Sequence, residues 1–206
     1  MEWYCISGSW RRTNNQVKTD VEARTDKILK EGNGVILGGA LGVDQIATQF
    51  ILDNGDPKNQ LQIFLPIELG AYCEHFFTSQ EEYRITRDQA EDITRQIFRV
   101  RKVAPHTIHD QTPFTQANQD SYYTRITKQI KACEGLYAFR VNNSAGAGFA
   151  IKEAKRLEKP VLGIKEYIIR NQEPTPHHLN EQRKDQPHPI KPPHFLISQQ
   201  TYLHRP

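Results

Sequence analysis

Short aliphatic runs alternate with amphipathic stretches across residues 3–165, and this alternation limits what the chain can fold into more than any other feature. "WYCIS" (3–7) is rich in strand formers and stops at Gly8. Over 17–31, Val17, Val21, Ile28 and Leu29 make a helical stripe among charged residues, with Gly32 and Gly34 bracketing its end as helix C-termini favour. "VIL" (35–37) is continuous rather than alternating, as expected of a strand covered on both faces. Val43, Ile46, Ala47, Phe50 and Ile51 predict a helix over about 43–53 that stops at "DNGDP". "LQIFLP" (61–66) reads as a third strand, and 80–102 as a helix with Ile85, Ile93 and Ile97 inward. "APHTIHDQTPFTQANQD" reads as a long loop. Tyr122, Ile126, Ile130 and Cys133 mark a helix, "GLYAF" a strand, Ala150, Ala154 and Leu157 a helix face, and "PVLGI" a last strand. Strands alternating with helices predict an α/β protein: a Rossmann-like, doubly wound, mostly parallel sheet with helices on both faces. In such sheets the ligand crevice lies beyond the carboxyl ends of the strands.

Composition changes near residue 166. Seven of the twelve prolines and five of the eight histidines lie after residue 173, too dense in proline for a long helix. The expected organisation is an α/β domain at 1–165 and an extended Pro/His-rich C-terminal arm at 166–206. Phe195, Leu196, Ile197, Tyr202 and Leu203 would anchor that arm or add an edge strand. A bridge to a second subunit is among its expected roles, and a homo-oligomer is the expected assembly. Proline spacers splay His177, His178, His188, His194 and His204, and no thiolate joins them, so no metal site is expected. Cys5, Cys73 and Cys133 are odd in number and give no disulfide framework. With no apolar run of membrane-span length and no secretion signal in "MEWYCISGSW", the expectation is a cytoplasmic protein without a membrane partner. The formal net charge of +3 is mild for nucleic-acid binding yet does not oppose an anionic ligand.

Small-residue segments follow the strands at "SGSWRR" (7–12), "GGALGVD" (38–44) and "NNSAGAGFA" (142–150). Glycines let backbone amides approach an anion, and a following helix N-terminus adds partial positive charge. Each such loop also has a purely structural reading as a strand terminator. Asp44 either charges the first turn of its helix or accepts a hydrogen bond from a ribose or base. Trp10, Arg11 and Arg12 offer a stacking face and guanidinium forks for phosphate, or form a solvated turn. Arg95, Arg99 and Lys102 share a helical face; a helix C-terminus favouring cations explains them better than a phosphate-contacting patch. Cys73, Glu74 and His75 are adjacent and point different ways, so they make no nucleophile–base pair.

"ILGGALGVDQIA" resembles the SGxAxGxDxxA motif of the SLOG superfamily, in its DprA/Smf and YpsA-like branches. "YYTRITKQIKACEGLYAFRVNNSAGAGFAIKEAKRLEKPVLGI" resembles the second half of the same domain, so the likeness runs over 3–165. It implies a Rossmann-like fold that binds a nucleotide or nucleotide-derived ligand. It also implies that Gly8, Ser9, Gly38, Gly39, Gly42, Asp44, Arg125, Ser144, Gly146 and Gly148 face the ligand. Arg11 and Arg12 join these as phosphate contacts, and no further cofactor is required. Relatives of the LOG phosphoribohydrolase type place a glutamate where this chain has Ile151, and nucleoside hydrolases and deoxyribosyltransferases place one at Ala150. N-glycosidic cleavage needs a carboxylate, so it falls to Glu153 or Asp44 as substitutes. Glu153 lies about 200° around the helix from Ile151. Binding is therefore the first expectation, a nucleoside monophosphate N-glycosidase the second, and DprA-like single-stranded DNA binding the third. A GxGxxG after the first strand and a GKS or GKT are both missing, which sets dehydrogenase and kinase readings aside.

Overall fold

The computed structural model describes residues 1–10, 12–78 and 85–170. Arg11, residues 79–84 and residues 171–206 of the expected arm, with its five histidines, lie outside the described residues, and the last strand runs two residues past the expected arm boundary, to Tyr167. Met1–Arg170 forms one compact unit.

Among the described residues six strands, β1 (Trp3–Gly8), β2 (Gly34–Leu37), β3 (Leu61–Phe64), β4 (Ile108–His109), β5 (Gly135–Val141) and β6 (Val161–Tyr167), build one sheet in the order β4-β3-β2-β1-β5-β6. Every ladder in it is parallel. The described helices are α1 (Asn15–Lys30), α2 (Val43–Asn54), α3 (Pro57–Gln60), α4 (Leu69–Thr78), α5 (Arg87–Val103), α6 (Gln119–Ala132) and α7 (Ala145–Arg156).

Strand side chains alternate between two cores. Ile6, Val35, Leu37, Leu61 and Ile63 cluster with residues of α1, α2, α4 and α5. Cys5, Ile36, Leu136 and Ala138 cluster with α6 and α7, so helices cover both faces. All four residues of β2 are buried, which explains why its sequence does not alternate. Each such aliphatic side chain contributes about 1.5–3 kcal/mol by leaving water.

Three local features differ from the sequence expectation. The helix expected over 80–102 starts at Arg87, because Thr86 caps it reciprocally with Gln89; Ile85 is buried just before the cap. The long loop contains a 3₁₀ turn at Pro105–Thr107 and then β4, two residues long. The segment "AYCEHF" lies within α4, whose Tyr72, Cys73 and Phe76 are buried.

Candidate functional site

The strand order reverses at β1: successive strands step from β1 to β4 on one side, and β5 returns on the other. At such a switch point the connections after the two central strands diverge and leave a crevice. A cavity of about 410 Å³ occupies that position. Ser7 and Gly8 line it from the end of β1, Ala40 and Asp44 from the β2–α2 connection, and Ala145 and Gly146 from the first turn of α7. Tyr72, His75 and Phe76 of α4 close one wall, and Tyr122, Tyr123 and Arg125 of α6 another. Trp10 also lines it. Tyr123 stacks on Phe149 of α7 with centroids 4.0 Å apart and an interplanar angle of 4°.

The β2–α2 loop folds onto its own aspartate. Gly39 and Gly42 take φ of 64° and 80°, which the turn requires and which glycine adopts without strain. The turn brings Asp44 back to β2, where Oδ2 accepts from the amides of Gly38 at 3.0 Å and Ala40 at 3.4 Å. Arg125 reaches the same strand end from α6: Nη1 donates to the Gly38 carbonyl at 2.6 Å and lies 3.8 Å from Asp44 Oδ2. A Cβ on Gly38 would sit 1.7 Å from that Nη1, so the missing side chain is the space the guanidinium fills. Asp44 and Arg125 are 8% and 9% exposed. Burial pushes the Asp44 carboxyl up, while Arg125 and the two amides pull it back.

The β5–α7 loop is arranged differently. Asn142 and Asn143 turn the chain with φ of 47° and 55°. Ser144 precedes the helix, yet its hydroxyl makes no capping bond and instead accepts from Ser9 Oγ at 2.8 Å. Ser9 Oγ also accepts from the Val141 amide, tying β1 to β5. The opening amides of α7 therefore face the cavity without a side-chain acceptor, where the helix carries partial positive charge. A Cβ on Gly146 would meet no atom within 4 Å.

Two buried polar atoms on cavity-lining residues have no hydrogen-bond partner among the described residues: the Tyr72 hydroxyl and Arg125 Nε. Leaving such groups unsatisfied costs about 1–3 kcal/mol each, a cost that an occupant accepting hydrogen bonds there would offset. Burial also raises the Tyr72 hydroxyl well above its ordinary pKa, so it stays protonated and can donate.

Of the residues expected at a ligand, Gly8, Asp44, Arg125 and Gly146 line the cavity. Ser9, Gly38, Gly39, Gly42, Ser144 and Gly148 are not among its lining residues. Gly8 sits where a Cβ would collide with Val43 at 2.3 Å, and Gly148 lies beside Arg140. Arg12 is exposed. Glu153 holds Thr127 Oγ1 at 2.8 Å and Arg156 Nη2 at 2.7 Å, away from the cavity. Its hydrogen bonds to Arg156, with Thr127 assisting against burial, lower its pKa to about 2. Ala150 is fully buried. Arg95 and Arg99 pair with Asp92 at 3.0 Å and Asp53 at 3.4 Å. Burial lifts the Cys73 thiol to about 11, leaving little nucleophilic thiolate at neutral pH.

The sequence reading missed Tyr72, His75, Phe76, Gln119, Tyr122, Tyr123 and Gln129 as lining residues. The available signal was the aromatic run of α4, two residues beyond the "LQIFLP" strand.

No protein-family model matches the chain, and no curated protein is similar to it. Solved structures are. DNA processing protein A from Helicobacter pylori, solved for its single-stranded DNA binding mode, superposes with a TM-score of 0.54 at 16% identity. That match covers 83% of this chain and 66% of the other. DNA processing protein A (DprA) from Streptococcus pneumoniae gives 0.56 at 17% identity, over 80% of this chain and 50% of the other. The fold is thus the Rossmann-like, DprA-like fold that the SLOG resemblance implies, and the chain spans only part of each matched protein. Among the described residues, no helix is long and apolar enough to cross a membrane.

Proposed function

We infer that the protein binds a nucleotide or nucleotide-derived ligand in the switch-point cavity. One observation carries this reading: the open amide end of α7 shares a cavity with aromatic walls and a buried guanidinium whose Nε has no partner. An anionic group suits the helix end, and the aromatic lining of Trp10, Phe76, Tyr122 and Tyr123 suits a flat ring. The like position of both features at β1 and β5 supports one ligand rather than two.

Calorimetry against mononucleotides, ADP-ribose and NAD tests the reading. Gly146→Leu is the informative variant, because the fold leaves open space where its side chain would project. The expected outcome is binding to the unmodified protein and none to Gly146→Leu, with an unchanged melting temperature. Equal heats from both proteins would sink it.

Binding without cleavage is the better-supported reading. Asp44 is the one carboxylate among the described residues lining the cavity, and its Oδ2 is held by backbone amides. Glycosidases of the common types use two. A second reading is that the cavity holds one unit of single-stranded DNA, favoured by the fold shared with the Helicobacter pylori protein. It requires affinity that falls steeply with salt. The ion pairs of Arg95 and Arg99 leave those residues poorly placed to supply it.

A further inference from the structure

We propose that the cavity selects purine nucleotides with a 6-oxo group, guanine or hypoxanthine, by pairing the O6/N7 edge of the base with the free edge of the Arg125 guanidinium. This rests on the nucleotide reading above and assigns the ligand's orientation within it.

Arg125 divides its donors. Nη1 is committed to the Gly38 carbonyl at 2.6 Å. Nε is buried without a partner among the described residues, and the guanidinium's hydrogen bond among them is made through Nη1. In a guanidinium, Nε–H and the far Nη–H are parallel and form one two-donor fork. Its complement is a planar edge with two acceptors side by side. Phosphate, carboxylate and the O6/N7 edge of a 6-oxopurine all provide one; adenine does not, because N6 is itself a donor beside N7.

Charge separates the remaining choices. The Arg125 guanidinium already faces Asp44 at 3.8 Å, with both side chains about nine-tenths buried. A phosphate on the fork would place a second anion close to that carboxylate in a poorly solvated corner, where like charges repel strongly. A neutral base carries no such penalty. Tyr122 lies under the guanidinium, with its ring centroid 5.6 Å from Cζ, so the corner is also aromatic. The open end of α7 has no carboxylate among the neighbouring lining residues Ala145 and Gly146, and takes the phosphate instead. Gln119 and Gln129 also line the cavity, but an amide turns to fit either base edge, so selection falls to the anchored arginine.

The test is calorimetric titration of the full chain with GMP, IMP, AMP and 7-deaza-GMP at one salt concentration. GMP and IMP are expected to bind at least about tenfold more tightly than AMP, the discrimination typical of a bidentate arginine–guanine pair. Replacing N7 by carbon in 7-deaza-GMP is expected to remove most of that advantage. Arg125→Met, which presents no donor, is expected to bring GMP and AMP to equal affinity. If that variant is unfolded by circular dichroism, 7-deaza-GMP decides alone. AMP binding as tightly as GMP, or 7-deaza-GMP matching GMP, overturns the base assignment. Where that happens while Gly146→Leu still blocks binding, the nucleotide reading survives. No binding of any of the four overturns both.

Discussion

In the connection after β2, Asp44 turns back to accept the amides of Gly38 and Ala40, whereas after β5 the Ser144 hydroxyl engages Ser9 and leaves the opening amides of α7 uncapped. Both segments are small-residue loops leading into a twelve-residue helix at the same sheet edge. The first has an anion of its own built in; the second has no side-chain acceptor among the described residues. A glycine-rich turn is therefore not an anion site by composition. What decides is whether the chain supplies the acceptor itself.

The contrast breaks most severely at Asp44. Asp44→Ala would strand the Arg125 guanidinium in a corner where both side chains are about nine-tenths buried, and losing one partner of a buried pair costs about 3–5 kcal/mol. Urea denaturation measures this, and a loss below 1 kcal/mol would mean the loop does not depend on its internal anion. Gly38→Ala comes next: its Cβ would occupy the guanidinium's position, and such overpacking costs about 1–3 kcal/mol in the same assay. Smallest, and most telling, is Ser144→Asp. This change gives the second loop the feature of the first, an internal carboxylate at the amide cluster. Stability should rise by about 0.3–1 kcal/mol, read as a higher melting temperature, while nucleotide affinity falls. A variant that binds nucleotide as well as the unmodified protein would show that the α7 amides are not where the phosphate sits.

Much of the fold was legible because it is written locally. "VIL" at 35–37 could be placed in a two-sided sheet from its lack of polar residues, and the stripe of α2 from its spacing. β4 was not, since two residues held by pairing with Ile63 and Phe64 carry no period of their own. α4 escaped for a related reason: its aromatic residues face a cavity and a core at once, so no clean polar face marks the helix. At the candidate site, residue types pointed to the sheet edge where the cavity lies but not to each loop's part in it. Nothing in "GGALGVD" says that its aspartate reaches backward to Gly38, or that an arginine 87 residues away supplies the other half of the clasp.

That clasp also ties the cavity to the long-range topology of the fold. The wall that Arg125 forms exists only where a helix near residue 125 meets a strand end at residue 38, a contact 87 residues apart in sequence of the kind that slows folding. A chain that has assembled β1, β2 and α2 alone possesses the glycine turn but not the cavity. Two distant segments complete it: α6 brings Arg125, and α7, reached through the pairing of β1 with β5, brings Ala145 and Gly146.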